Sequence, residues 1–352
     1  CPVIILVERK LAIMQELKNL QGKTIAVIYI FEGETAPGFK HYHIWESDII
    51  SQWLLAIQSL KCIPLILDVR TFIDKAISNT LPTIDYVINL NCGSCELSPM
   101  ALVPSMCSFL HIPCIPCDAV AILAGENKRM SNLIASATGI NIPKVLETSS
   151  PKAIFRPLNL GSSIGVKRGS QEQTDQEGIY QEFIPGYDIT TPIVYNPVHN
   201  EMDFLPTVIY KANDDSVEWF LGEENKHTRS GFTRHTIPAL SESLKAKYRL
   251  LADNISINTF CRIDARIKCD TPSDLCRILE YPLTLEEVYF IEINPMPTIW
   301  INNAFSHSFD NITKDSPFFN YLRNLEKAVE KVTVYNFLLS ISMLYFYNHV
   351  KR

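Results

Sequence analysis

Apolar and polar positions alternate in blocks along the first third of the chain. Short runs rich in Val, Ile and Leu are typical of buried parallel strands, and they occur at 24–31, 62–68 and 85–91. Apolar residues at helical spacing predict helices over 8–20, 44–60, 70–78 and 98–110. Strands that alternate with helices predict a doubly wound parallel sheet, whose ligands bind beyond the carboxyl ends of the strands.

The pattern changes to longer elements after residue 117. Continuous helical patterns predict one helix over 118–140 and another over 240–258, and a polar, basic loop is predicted at 227–236. Alternating or apolar runs predict antiparallel strands within 179–190, 201–226, 259–267 and 288–294.

A hairpin with a glycine-rich tip is predicted at 155–166, FRPLNLGSSIGV. Arg156 ends an apolar run, and Gly161 and Gly165 flank two serines. Backbone N–H groups and hydroxyls of such a tip can point at anionic oxygens, and the nearby guanidinium suits a phosphate. The alternative is an ordinary polar turn between two strands.

Charged residues share one face of each of the last two predicted strands. Alternation places Arg262, Asp264 and Arg266 together on the first strand, and Glu292 and Asn294 together on the second. Carboxylate and amide oxygens on adjacent strands are the hard ligands that Mg²⁺ prefers, so the pattern favours a metal site. The alternative is a solvated sheet face with an Arg–Asp pair.

The overall composition narrows the class of partner. The 352 residues carry a formal net charge of −6, which argues against a general nucleic-acid or anionic-membrane surface. We therefore expect a small-molecule partner and no bound nucleic acid. The length exceeds what one hydrophobic core usually serves, so more than one domain is expected.

The two ends of the sequence predict neither a secretory signal nor a membrane span. Residues 1–8 lack a basic region and a cleavage site, and because the chain begins with Cys1 we expect a trimmed terminus, with a lipid-modified cysteine as the alternative. The apolar stretch 332–347 is short for a span and is interrupted by Asn336. It predicts a buried or partner-facing helix and no stable membrane insertion.

Two CxxC pairs, Cys92 with Cys95 and Cys114 with Cys117, match the spacing of zinc ribbons. The pattern places both pairs at the ends of neighbouring parallel strands. We favour reduced, partly buried cytosolic thiols, and a bound zinc ion is the alternative.

Several motifs, in their order along the chain, resemble those of the ATP-grasp ligases, and most closely the D-alanine–D-alanine ligases. They are the hairpin above, QEFIPGYDIT at 181–190, RID at 262–264 and FIEINPMP at 290–297. The resemblance covers about residues 22–310 and implies a doubly wound α/β domain followed by a two-lobed ATP-grasp fold. The implied boundaries are 1–117 for the N-terminal domain, 118–183 for the central lobe with the hairpin, and 184–352 for the C-terminal lobe.

The resemblance also implies roles for individual residues. Lys128 and Arg156 would bind the phosphates of ATP, and Gly161 and Ser162 would lie in the loop that closes over them. Gln181, Glu182 and Ile184 would hold the adenine. Asp188 would bind the ribose hydroxyls, and Lys226 would be a phosphate-binding lysine in a loop. Two Mg²⁺ ions, or Mn²⁺ in their place, would be held by Asp264, Glu292 and Asn294.

The remaining implied roles concern catalysis and the amino-acid substrates. Arg262 would stabilise the transferring phosphoryl group, and Ser162 and His227 would belong to the catalytic set. Glu46 is matched to the acid that binds the first substrate's ammonium, with Glu32, Glu34 and Asp48 as competing candidates. The resemblance implies that one amino acid is phosphorylated on its carboxylate by ATP and that the amine of a second amino acid then forms an amide.

Departures from the family pattern gather where the acceptor amino acid would bind. His227 stands where the family has tyrosine, Thr298 where it has glycine, and Asn303 near an expected serine. Arg156 replaces a lysine, and 268–287 is longer than the usual connection. We therefore hypothesise a changed acceptor, and the basic residues Lys226, His227, Arg229, Arg234 and His235 suit an acceptor with an additional acidic group or form a solvated loop.

Three interpretations follow from these observations. The first is a cytoplasmic ligase that makes D-Ala-D-Ala for peptidoglycan precursors, and the family habit suggests a homodimer. The second is a related ligase with another amide or peptide product. The third is a non-catalytic nucleotide-binding or zinc-bearing protein, and the set of Arg262, Asp264, Glu292 and Asn294 argues against it.

Overall fold

The chain folds into three β-sheets with flanking helices. The structure is a computed structural model, and it describes residues 2–30, 47–92, 97–169, 177–237, 239–300 and 303–350. The sheets follow one another in sequence. A parallel sheet comes first, and two antiparallel sheets follow it.

The first sheet is parallel, as the apolar runs predicted, with strand order β2-β1-β3-β4. Its strands are Thr24–Tyr29 (β1), Ile63–Asp68 (β2), Tyr86–Leu90 (β3) and Cys114–Ile115 (β4). The helices that alternate with them are Pro2–Asn19 (α1), Ser47–Ser59 (α2), Val69–Ile77 (α3) and Leu97–Phe109 (α4). Apolar residues on both faces of this sheet are buried, which explains why its strands are continuous apolar runs.

The single helix predicted over 118–140 is wrong, because two helices occupy this range. They are Ala119–Glu126 (α5) and Lys128–Ala137 (α6). Asn127 between them is extended and accepts a hydrogen bond from the backbone N–H of Met130, so it caps α6. The backbone N–H of Lys128 donates instead to Leu158 at 3.0 Å. The break therefore attaches the start of α6 to the base of the hairpin.

The second sheet contains the predicted hairpin and is antiparallel, with strand order β5-β8-β6-β7. Its strands are Val145–Leu146 (β5), Ala153–Pro157 (β6), Lys167–Arg168 (β7) and Gly178–Glu182 (β8). The arms of the hairpin are β6 and β7, in which Ile154 pairs with Arg168 and Phe155 pairs with Lys167.

The third sheet has six strands, with β12-β11-β9-β13-β14 in order and β10 paired to β9. They are Gly186–Asn196 (β9), Glu201–Phe204 (β10), Val208–Ala212 (β11), Phe232–Thr236 (β12), Phe260–Lys268 (β13) and Val288–Asn294 (β14). The predicted loop at 227–236 is wrong in its second half, because β12 pairs with β11 at the edge of the sheet. A short helix, Glu223–Thr228 (α7), precedes it.

The register of β13 and β14 positions the charged residues. Asp264 lies opposite Glu292 and Arg262 lies opposite Asn294, and a bulge follows Asp264. Ile263 and Ala265 are buried on the other face, as the alternation predicted.

Helices in the last part of the chain complete the core. They are Glu242–Asn254 (α8), Asp274–Glu280 (α9), Ala304–Asp310 (α10), Phe319–Ala328 (α11) and Val334–His349 (α12). Residues 334–344 of α12 are all buried, and the ring of Tyr335 packs edge-on against that of Trp53 in α2 at 5.1 Å. The apolar C-terminal stretch is thus covered by its own chain. Within the described ranges, no helix is long and apolar enough to cross a bilayer.

The cysteines of the CxxC pairs lie near β3 and β4, which are neighbouring parallel strands. Cys92, Cys114 and Cys117 are buried. Burial raises the pKa of Cys117, and a hydrogen bond with Cys107 together with burial raises the pKa of Cys114, so both thiols stay protonated. Cys95 lies outside the described residues, so the zinc alternative stays a prediction.

Candidate active site

A cleft of about 810 Å³ opens between the second and third sheets. Apolar side chains line one part of it, among them Ile154, Phe183 and Phe220. Charged side chains also line this cleft, and they are Lys128, Arg156, Glu182, Asp188, Lys226, Asp264, Arg266 and Glu292. A flat apolar slot beside a cluster of cations can hold a base and its phosphates.

A second cavity of about 1440 Å³ adjoins the first. The two share Thr190, Tyr210, Leu221, Lys226 and Asp264, so they meet at the charged end of the cleft. The second cavity reaches from the N-terminal sheet to β12 and α10, through residues such as Cys92, Arg234 and Asn303. Two ligands can therefore approach the same charged junction from opposite sides.

Lys128, Arg156 and Glu292 form a buried charge cluster at this junction. Glu292 Oε2 lies 3.1 Å from Arg156 Nη2 and 3.6 Å from Lys128 Nζ. Burial opposes ionisation of Glu292, but the cations around it outweigh that effect and lower its pKa to about 2. Burial lowers the pKa of Lys128, whose ammonium also donates to the carbonyl of Leu160 at 2.6 Å. The two predicted phosphate cations thus share one carboxylate.

Asp264, the second predicted metal ligand, is also held by hydrogen bonds. Its Oδ1 accepts from the hydroxyl of Thr190 at 2.7 Å, and its Oδ2 accepts from Arg262 Nη2 at 2.8 Å. Burial alone would lower the pKa of Arg262, but Asp264 and its neighbours raise it, so this guanidinium stays charged. The side chain of Asn294 accepts from the backbone N–H of Met296 at 3.2 Å.

The donor set fits a magnesium ion. Asp264, Glu292 and Asn294 present carboxylate and amide oxygens from paired positions of two adjacent strands, where few protein ligands and bound phosphates complete the shell of Mg²⁺. Their present cationic partners are the groups that a polyphosphate would engage. Binding of a metal–phosphate pair would therefore exchange ion pairs rather than expose unpaired charge.

The tip of the hairpin contacts the segment before and within α7. Ser163 Oγ donates to the carbonyl of Leu221 at 2.9 Å and accepts from Lys226 Nζ at 2.8 Å. Ser162 and Ser163 both have left-handed backbone conformations, with φ of 55° and 60°. Ser163 lines the first cavity, whereas the predicted Gly161 and Ser162 line the second. Ser163, the neighbour of the predicted Ser162, thus forms the contacts between the hairpin tip and α7.

Arg266 organises the far end of the first cavity. Its guanidinium donates to the carboxylate of Asp188 at 2.8 Å and to the carbonyl of Ile184 at 2.7 Å. It also donates to the carbonyls of Gly186 and Trp219 at 2.9 and 3.0 Å. The other oxygen of Asp188 accepts from the backbone N–H of Leu221 at 2.7 Å. Both oxygens of the predicted ribose acid therefore already have protein partners, each with a lone pair to spare.

The predicted adenine segment lies along this cavity. Gln181 is fully buried, accepts from Arg156 at 3.2 Å and donates to Asn132 at 3.1 Å, so its side chain holds Arg156 in place. Glu182 has an exposed side chain, and it lines the cavity together with Ile184. The structure brings this segment, Asp188 and the phosphate cations to one cleft.

The predicted acceptor residues lie in the second cavity. Thr298 and Asn303 both line it. The side chain of Asn303 caps α10 by accepting from the backbone N–H of Ser306 at 3.0 Å, and it donates to the carbonyl of Thr298. Two other predictions are not placed, because Glu46 and the side chain of His227 lie outside the described residues.

Sequence reasoning missed Glu126 as a cavity residue. It ends α5 and lines the second cavity near Arg262 and Lys128. Burial raises its pKa to about 7. The available signal was Asn127, a favoured cap residue directly after Glu126, although the apolar spacing continues across it.

A further group of candidate metal ligands lies outside the cleft and consists of His199, Glu201 and Asp203. Asp203 accepts hydrogen bonds from Asn196 at 2.8 Å and from Arg249 at 2.9 Å. Protein donors thus satisfy its carboxylate, and we assign no metal to this group.

Solved structures with this fold include D-alanine–D-alanine ligases and the VanG ligase, which are ATP-grasp enzymes. The D-alanine–D-alanine ligase from Bacillus anthracis complexed with ATP is 15% identical, with a TM-score of 0.58 over 91% of this chain and 99% of that chain. The VanG D-Ala:D-Ser ligase from Enterococcus faecalis is 14% identical, with a TM-score of 0.55 over 92% and 100%.

D-alanyl-alanine synthetase A from Vibrio cholerae is 12% identical, with a TM-score of 0.59 over 88% of this chain and 99% of that chain. No protein-family model and no curated protein sequence matches the chain. The likeness is one of fold over nearly the full length of each neighbour, and it confirms the predicted combination of a parallel-sheet domain with an ATP-grasp fold.

Proposed function

We propose that the chain is an ATP-dependent ligase that joins two amino acids. The observation that carries the proposal is the charge cluster of Lys128, Arg156 and Glu292 beside Asp264, at the junction of two cavities. Phosphoryl transfer needs positioning and neutralisation of charge rather than a protein nucleophile. This cluster supplies both, between a slot for a nucleotide and a cavity for a second reactant.

In this proposal the first cavity binds ATP. The segment 181–184 lies along the base, Asp188 accepts from the ribose hydroxyls, and Lys128, Arg156 and Lys226 neutralise the phosphates. Asp264, Glu292 and Asn294 would hold Mg²⁺, which would supply positive charge to neutralise the phosphates.

The second cavity then binds the amino acids. The carboxylate of the first attacks the γ-phosphate of ATP, which gives an acyl phosphate and ADP, and Arg262 stabilises the transferring group. The amine of the second attacks the acyl carbon, an amide forms and phosphate leaves. Ser163 and Lys226, at the tip of the hairpin and in α7, close the junction and exclude the water that would hydrolyse the acyl phosphate.

Two kinds of amino acid are candidates for the acceptor, which are D-alanine and a different amino acid. A D-alanine acceptor is suggested by the named fold neighbours, and with it we propose a cytoplasmic role in making cell-wall precursors and a homodimeric enzyme. A different acceptor is favoured by Asn303, because its side chain is used as a helix cap and as a donor to Thr298.

The test is release of ADP by the purified chain with Mg-ATP across D- and L-amino acids, one at a time and in pairs. Amino-acid-dependent release with formation of a dipeptide or amide is expected. The Glu292→Gln variant should abolish turnover, whereas the exposed Glu280→Gln on α9 should retain it. Binding of ATP without amino-acid-dependent ADP release would overturn the ligase and favour a non-catalytic nucleotide-binding protein.

A further inference from the structure

Positive charge exceeds negative charge in the described lining of the second cavity. The cations are Lys226, Arg229, Arg234 and Arg262, and the acids are Glu126 and Asp264. Arg262 is paired with Asp264, and Lys226 donates to Ser163 at the junction. Two guanidinium groups and one carboxylate therefore remain for a ligand to match.

Arg234 packs against aromatic rings, but one of its hydrogen-bond donors has no partner among the described residues. It shares a face of the edge strand β12 with Phe232, and its guanidinium lies 5.1 Å from the centre of that ring and 5.9 Å from the ring of Tyr210. Its Nε is buried and has no hydrogen-bond partner among the described residues. A buried donor without an acceptor costs free energy, which a ligand oxygen in the cavity would recover.

Arg229 also lines the second cavity, and its guanidinium is stacked on an aromatic ring. Its guanidinium lies 3.1 Å from the centre of the Trp300 ring, and Trp300 is itself anchored by donating to Asp48 at 3.2 Å. Stacking of this kind fixes the plane of the guanidinium and leaves the N–H groups at its edge to point outward, where a carboxylate binds in the same plane. Arg229 forms no ion pair with the part of the chain that the structure describes.

Glu126 supplies a negative charge at the end of the second cavity that adjoins the junction with the first cavity. Its neighbours include Lys128, Glu292 and Arg262, so it lies towards the junction rather than towards β12. An ammonium group at this carboxylate would lie close to the reacting phosphoryl group, while the remainder of the same molecule extends to Arg229 and Arg234.

We propose that the second cavity binds an acidic amino acid, with its ammonium at Glu126 and its two carboxylates at Arg229 and Arg234. This substrate class deepens the proposed ligase function and rests on it. Two cations and one anion match an amino acid with two carboxylates and one ammonium, whereas alanine satisfies only one of the two guanidinium groups.

The binding test is calorimetry of the full chain with Mg-ADP, using L- and D-aspartate and glutamate against the matched amides and against alanine. We expect the acids to bind about 10-fold or more tightly than their amides, as a charged hydrogen bond would give. Arg234→Gln should remove this preference, whereas Arg229→Gln, which loses the partner of the α-carboxylate, should weaken the binding of acids, amides and alanine alike. Arg323→Gln, which changes an exposed arginine on α11, should keep it, and thermal unfolding verifies that the variants are folded.

Two outcomes overturn the acidic-substrate proposal. One is equal binding of acids and amides. The other is an equal loss of alanine and glutamate binding in Arg234→Gln, since Arg234 would then hold the α-carboxylate of any amino acid. If the acids bind preferentially but no amino acid stimulates ADP release, the ligase function fails and the assignment of the cavity stands.

Discussion

The ammonium of Lys226 donates to the hydroxyl of Ser163 at 2.8 Å, and this bond joins the tip of the hairpin to α7. Ser163 in turn donates to the carbonyl of Leu221. Ser163 thus links the tip of the hairpin both to Leu221 and to Lys226 in α7. Burial lowers the pKa of Lys226.

Replacing Ser163 with alanine should loosen the hairpin. The variant loses a donor and an acceptor at the junction, at a cost of about 1 kcal/mol for each hydrogen bond. We expect amide hydrogen exchange of residues 158–168 to become roughly fivefold faster or more. Ser162→Ala is the control, because Ser162 forms no hydrogen bond within the described ranges, and equal acceleration in both variants would contradict the assignment.

Glu292→Gln should destabilise the ligand-free protein by about 3 kcal/mol near neutral pH, because Lys128 and Arg156 lose their shared carboxylate. The pKa of Glu292 is lowered to about 2, so its stabilisation is complete above its ordinary pKa of 4.5 and is lost as the pH falls towards 2. Urea unfolding at pH 7, 4 and 3 should show the gap between the two proteins narrowing with acid. A gap independent of pH would refute the ion-pair account.

Glu126→Gln should change stability in the opposite direction. Since burial raises the pKa of Glu126 to about 7, the folded state binds a proton that the unfolded state releases above about 4.5, and stability falls as the pH rises between these values. The variant should therefore gain roughly 3 kcal/mol relative to the wild type between pH 4 and pH 8. The exposed Glu280→Gln is the control and should show no such gain.

Arg266→Lys should weaken ATP binding at least about tenfold, because a lysine cannot reproduce the planar contacts to Asp188 and the three carbonyls. Calorimetry with Mg-ATP measures this directly. Arg249→Lys is the matched control, since Arg249 binds Met202 and Asp203 outside the cleft. It should lower stability and leave ATP affinity unchanged, so a similar loss of affinity in both variants would count against a role of Arg266 at the site.

Much of the fold could be predicted because burial leaves a direct pattern in the sequence. The parallel strands are apolar runs, and the alternation in β13 placed Arg262, Asp264 and Arg266 on one face. The edge strand β12 was missed, because it alternates aromatic, charged and hydroxyl residues towards a cavity, and such a pattern reads as a loop. The break at Asn127 was missed because apolar spacing continues across it.

The site could be predicted as a set of residues but not as a network. The pairing of Asp264 with Glu292 depends on the register of two strands separated by a long connection. The raised pKa of Glu126 depends first on its burial and then on the charge of Glu292 in β14, which is far away in sequence. Strand pairings and pKa shifts of this kind are set by tertiary packing, which a local sequence pattern does not show.

The break between α5 and α6 has a mechanical consequence. Three hydrogen bonds run from Asn127 and Lys128 to the base of the hairpin, from the Lys128 amide to Leu158, from the Asn127 side chain to Asn159 and from the Lys128 ammonium to Leu160. A phosphate bound by the ammonium would compete with the Leu160 carbonyl for the N–H donors of Lys128. In the proposed ATP complex, nucleotide binding at Lys128 would thereby change the hydrogen bonds that support the base of the hairpin.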